Sequence, residues 1–154
     1  MITRIEVYIK EQLVDAAGDG LLKDIEDLNI SGAKSARFVR VTEIEGKLSK
    51  RDAEKIGAEL LADPVSQEYA VGEAPPELTR GAWVIEVRYK PGVTDPVTES
   101  TMKAIRDMGI KGARSARTAT KVLLRGRLSK AGVETIATKL LANAVIQTYT
   151  IEKK

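Results

Sequence analysis

The chain has 154 residues and contains no cysteine and no histidine. Without cysteine there are no disulfides, thiolate metal sites or thiol nucleophiles, and the chain fits a reducing compartment. Without histidine it lacks the side chain best suited to moving protons near neutral pH. The commonest metal ligand is missing too. Aromatic residues make up only 4%, with a single Trp and a single Phe, so any core must be aliphatic. No apolar run approaches the roughly 20 residues needed to span a bilayer. The opening "MITRIEVYIK" alternates like a strand and does not read as a secretory signal.

The chain does contain the same phrase twice. "SGAKSAR" (Ser31–Arg37) returns as "KGARSAR" (Lys111–Arg117). A shift of 80 residues aligns most of the chain without a gap, and roughly a third of the paired positions are identical. The divisions that follow are repeat 1 over 1–73, a linker over 74–81 and repeat 2 over 82–154. Each copy is near the lower size limit for a core of its own, so the two are expected to pack on each other or on something larger.

Charge is unevenly shared. The first 74 residues hold ten Lys/Arg against fifteen Asp/Glu, whereas residues 81–154 hold fourteen against six. The halves can attract each other, or the basic half can face an acidic partner.

Each repeat reads strand, helix, strand region, helix, strand. Ile5, Val7 and Ile9 alternate with Glu6, Tyr8 and Lys10, and the copy does the same from Ile85 to Lys90. Asp15 and Asp95 occupy equivalent N-cap positions, with Pro96 suited to the first helical residue of the second copy. Asn29 and Gly109 fall just beyond those helices, where a left-handed residue is needed. Ser49 and Ser129 open the second helices.

The alternation in the middle strand region breaks near Phe38 and Val39, which predicts a bulge, a bend or a hairpin splitting it. Two prolines and flanking glycines make "GEAPPELTRG" a short, semi-stiff linker. The expected class is α+β: two ferredoxin-like-related repeats with mainly antiparallel sheets, packed as a pseudo-twofold pair. Val39, Val41 and Leu123 fall on the sheet face opposite the helices, and the sister repeat is the expected cover for them.

The search for chemistry is mostly negative. "GKLS" at Gly46–Ser49 lacks the upstream glycine of a phosphate loop and reads as a turn before a capped helix. "GDG" at Gly18–Gly20 lies inside a helix, whereas a dinucleotide fingerprint follows a strand. Lys10 with Asp15 and Lys90 with Asp95 could do acid–base work, but as helix caps the aspartates already have a role. No catalytic residue and no metal ligand is assigned.

The candidate partner-binding residues are Lys90, Arg114, Arg117, Lys121, Arg125 and Arg127. Of these, Arg117, Lys121, Arg125 and Arg127 share one parity, so in an unbroken strand they point one way. Such a stripe could follow phosphates, but the basic strand has no aromatic on which bases could stack.

Two stretches carry a family resemblance. "YKPGVTDP" (Tyr89–Pro96), followed by "LLANAVIQTYTIE" (Leu140–Glu152), resembles the PurS family, and "KEQLVDAAG" and "LLADPVSQEY" repeat it more loosely. The resemblance implies an accessory, non-catalytic part of phosphoribosylformylglycinamidine synthase in purine biosynthesis. Such a part pairs as dimers and joins a glutaminase subunit to a synthetase for ammonia transfer. Its partners would be those two subunits, or a second copy of itself. ATP and magnesium would belong to the synthetase, with no cofactor in this chain, and the setting would be cytoplasmic. A standalone double PurS and the front of a longer synthetase both fit.

The sequence departs from the family pattern in the strand region, where Arg-x-Gly-Lys reads Arg37-Phe38-Val39-Arg40 and Arg117-Thr118-Ala119-Thr120. The glycine after Asp-Pro-x is replaced by Thr98. Two other readings stand beside this one: a small-molecule-sensing regulatory pair, and a weak nucleic-acid binder using the basic half.

Overall fold

The computed structural model describes all residues from Met1 to Lys154. Repeat 1 contributes β1 (Ile2–Ile9), α1 (Ala16–Asp27), β2 (Ala33–Gly46), α2 (Lys50–Lys55) and β3 (Gln67–Val71). A short turn of helix, α3 (Pro76–Thr79), lies in the linker. Repeat 2 gives β4 (Trp83–Tyr89), α4 (Thr98–Asp107), β5 (Ala113–Gly126), α5 (Lys130–Ile136) and β6 (Gln147–Lys153). Both α2 and α5 run on into π-helical turns, Ile56–Leu61 and Ala137–Leu141.

The capping signals act much as their chemistry dictates. Ser49 and Ser129 accept the backbone N–H groups of Asp52 and Gly132. Asn29 and Gly109 adopt φ of 61° and 82° and end α1 and α4. Asp15 caps α1 by accepting Gly18 N–H. The second copy departs from expectation: α4 begins at Thr98, beyond Pro96, and its N-cap is Val97.

All six strands join one antiparallel sheet in the order β3-β1-β2-β5-β4-β6. The repeats meet along β2 and β5. In this ladder Arg40 faces Thr120, the one pair of partners that are also 80 residues apart. The pseudo-twofold axis therefore passes between these two residues.

Each middle strand region is a single 14-residue strand and is not split. Its irregularities in the central ladder lie at the ends, between Ala33 and Ser35 and between Glu45 and Gly46. The alternation fails to show because both faces carry apolar residues halfway along. Ala36, Phe38 and Ile44 face the helices, whereas Val39 and Val41 face away.

The repeat phrase also explains itself at those ends. Gly32 and Gly46 of one copy meet Gly126 and Gly112 of the other. A Cβ on Gly46 would lie 2.1 Å from the Gly112 carbonyl oxygen, and one on Gly126 would lie 2.0 Å from that of Gly32. The chains cross too closely there for a side chain. The expected turn at Gly32 has a φ of 98°.

The two cores on the helix side mix both repeats. In one, Leu21 and Ile25 of α1 pack with Ile85, Val122, Val133 and Ile136 of repeat 2. In the other, Met102 and Ile105 of α4 pack with Ile5, Val7, Ile44 and Ile56 of repeat 1. Each repeat lends its first helix to its sister, as two units too small to bury their own apolar faces must.

The opposite face has a different cover from the one expected. Ala74, Leu78 and Ala82 of the linker region lie over Tyr8, Val39, Val41, Val84, Ala119 and Leu123. The sister repeat cannot do this because it continues the same sheet edge to edge.

Candidate interaction surface

Strand alternation sends Arg4 and Glu6 of β1, Glu43 of β2, Lys121 of β5, and Glu86 and Arg88 of β4 to the face away from the helices. There the three cations and three carboxylates form one connected set. Arg4 Nε donates to Glu6 at 2.7 Å, and its Nη atoms reach Glu43 at 3.2 Å and Glu86. Arg88 donates to Glu43 at 3.0 Å and to Glu86 at 2.6 Å. Lys121 Nζ donates to Glu6 at 2.7 Å, and the other Glu6 oxygen accepts Ala74 N–H at 2.7 Å.

Glu6 is 0% exposed and Lys121 5%. Burial opposes ionisation of Glu43, but Arg88 and Arg4 more than offset it and hold the carboxyl below its usual range. Glu86 is lowered in the same way, against burial, by Arg4 and Arg88. Burial also lowers Arg4, yet Glu86 and Glu6 more than offset this and push its pKa well above the ordinary arginine value. The set is a neutral clamp that ties β1, β2, β4, β5 and the linker together.

This arrangement redistributes the six cations picked out from the sequence. Lys121 is spent on Glu6. Arg125 is half-buried and donates to the backbone oxygens of Leu78 at 2.6 Å and Arg80 at 3.1 Å, so it fastens the linker. Arg127 lies just past the end of β5, exposed, and its backbone N–H pairs with Gly32. Lys90 is half-buried beside the β4–α4 loop. Arg114 and Arg117 are exposed, and with Arg127 they present charge outward.

Arg117 differs from its counterpart in repeat 1. Arg37 donates to the carbonyls of Ile9, Lys10, Glu11 and Leu13 and closes the β1–α1 loop. Arg117 makes no such bond. One feature alone hinted at the charge clamp: Glu6 and Glu86 stand at the same place in "IEVY" and "IEVR".

The aspartates singled out as candidate acids have structural work. Asp15 Oδ2 accepts Phe38 N–H at 2.9 Å, and Asp95 Oδ2 accepts Thr118 N–H at 2.7 Å. These N–H groups lie where pairing of β1 with β2, and of β4 with β5, has just stopped. Each carboxylate satisfies a strand edge that would otherwise go unpaired.

The "LLADPV.Q" and "LLANAVIQ" stretches form the same turn. Asp63 accepts Val65 N–H while Gln67 accepts Asp63 N–H, and Asn143 and Gln147 do likewise around Val145. The Val65 N–H bond, with help from Ser66, holds the Asp63 carboxyl below its usual range. Both turns push a valine into solvent, Val65 at 79% and Val145 at 80% exposure.

Fold and surface together define a tandem α+β module whose deepest charges neutralise one another and whose outermost strands, β3 and β6, each have a free edge. The profile of the family PurS, Phosphoribosylformylglycinamidine (FGAM) synthase, matches residues 2–73 and again 82–154. The chain belongs to the PurS family as two consecutive copies, and so to the FGAM synthase of purine biosynthesis. Among solved structures it is similar to PurS of Methanocaldococcus jannaschii, one of the subunits of formylglycinamide ribonucleotide amidotransferase. That match has 22% identity and a TM-score of 0.39, and it covers 47% of this chain and 94% of the other. No curated protein matches the chain.

Proposed function

We propose that the chain is a non-catalytic bridging component of FGAM synthase. It joins the glutaminase and synthetase parts so that ammonia released from glutamine reaches the amidine-forming site. The observation that carries this reading is the doubled family match, fused into one sheet.

The rest of the surface supports it. Every carboxylate and cation deep in the structure is paired within the fold, whereas exposed Arg114, Arg117 and Arg127 and the two protruding valines are free to meet other proteins. ATP and magnesium act in the synthetase, and the chain works beside it in the cytoplasm.

The test is reconstitution. A synthetase and glutaminase set lacking its own PurS should gain glutamine-dependent amidine formation when this chain is added. Activity that is the same with and without it overturns the proposal.

A further inference from the structure

The helix layer parts near the pseudo-twofold axis into two clefts related by the repeat. One, of about 380 Å3, is walled by Leu21, Phe38 and Val122. The other, of about 540 Å3, has Thr101, Thr118 and Thr42 at the equivalent positions. Ser100 stands where the first has Gly20, and Arg40 where it has Thr120. The apolar version shows that packing alone can be served without hydroxyls at these places.

Thr42 and Thr101 are only 4% and 7% exposed. Their hydroxyls bond to no protein group, yet neither is sealed off, because both open into the cleft. Open to the cleft, both hydroxyls are available to water or to a bound molecule.

The electrostatics favour an anion. Arg40 donates through one nitrogen to the Leu61 carbonyl at 2.6 Å and has no carboxylate partner, which leaves its remaining N–H groups free. The start of α4 borders the same cleft through Val97 and Ser100, and its N-cap carries no side-chain bond. No carboxylate lines the cleft, and Asp95, which lies behind Val97 and Thr118, is already saturated. Its Oδ1 accepts Val97 N–H, and its Oδ2 accepts both the N–H and the hydroxyl of Thr118.

We propose that this cleft binds a small polar anion, a metabolite bearing a carboxylate or a phosphate monoester. Arg40 takes the charge, and the hydroxyls of Thr42, Thr101 and Thr120 bond to its polar body. The site belongs to the isolated chain, so its test does not depend on synthase activity.

The test is an amide NMR titration of the full chain with inorganic phosphate, adenosine monophosphate and L-glutamate in turn. Saturable shifts centred on Thr42, Thr101, Thr118 and Thr120 are expected. A response to the two phosphates alone assigns a phosphate ligand, and a response to glutamate alone a carboxylate.

The T42V/T101L variant carries the apolar pair of the sister cleft and should abolish the response. R40T copies Thr120 and should weaken binding about tenfold. R40T should keep the parent unfolding temperature, because the π-helical turn of repeat 2 forms with threonine at the matching site. T42V/T101L should not lower it, because Val122 and Leu21 pack at the matching places of the sister cleft. Three outcomes overturn the proposal: no shifts with any probe at millimolar concentration, shifts confined to exposed cations such as Lys47 and Lys111, or binding unchanged in both variants.

Discussion

Replacing Glu6 by Gln tests the account of the charged face directly. Glu6 is fully buried, receives hydrogen bonds from Lys121, Arg4 and Ala74, and is the one carboxylate that Lys121 touches. An amide in its place leaves the Lys121 ammonium buried against a neutral group. Removing one partner of a buried pair costs about 3–5 kcal/mol. A chain of this size has about 5–15 kcal/mol in total. At about 2–4 °C per kcal/mol, the Tm should fall by about 6–20 °C.

The measurement is urea unfolding followed by the fluorescence of Trp83, the sole tryptophan, and independently by circular dichroism. Adding K121M removes the stranded charge. Arg4 keeps Glu43 and Glu86 in either variant. The double variant should therefore be more stable than E6Q alone, with a coupling energy of about 2 kcal/mol or more. The reasoning fails if E6Q loses less than about 1 kcal/mol, or if the two changes simply add.

Three further variants have defined outcomes. A Cβ on Gly18 would lie 1.9 Å from the Ala36 carbonyl oxygen, so G18A should destabilise by about 1–3 kcal/mol. At the matching place in repeat 2, Thr98 donates its hydroxyl to Ala116 at 3.0 Å, and T98A should cost only about 0.5–1.5 kcal/mol by chemical denaturation. Glu43 and Glu86 are more acidic in the folded chain than unfolded, so their contribution is complete above the ordinary value of 4.5 and is lost as pH falls below it. E43Q should thus be the less stable protein at neutral pH, with its Tm converging on the parent's in acid; parallel Tm curves would contradict the assignment.

How far the sequence could be read depends on the range of each signal. Left-handed Asn29 and Gly109 and the caps at Ser49 and Ser129 are demands of a few neighbouring residues, and one copy checks the other. The interleaving of α1 and α4 is different in kind. An amphipathic stripe states that a face is buried and leaves open what buries it. The linker cover was hidden because Ala74, Leu78 and Ala82 are small, scattered and set among prolines and charges.

At the candidate surface, Lys121 read as part of an outward stripe because its partner, Glu6, lies 115 residues away. Strand parity placed it on the correct side with Arg117 and Arg125, but parity says nothing about what lies above that side. The clefts near the axis were likewise illegible. Their polarity emerges only when Thr42, Thr101 and Thr118, from different elements, are compared with three apolar counterparts.

The contact of Arg40 with Thr120 sets this chain apart from any assembly of identical subunits. In a homodimer, a residue on the rotation axis meets its own copy, so a cation there must face a cation, and every substitution is made twice at once. Joining the copies in one polypeptide lifts that constraint. An arginine can sit beside a threonine at the centre, and a symmetric scaffold can acquire a left and a right.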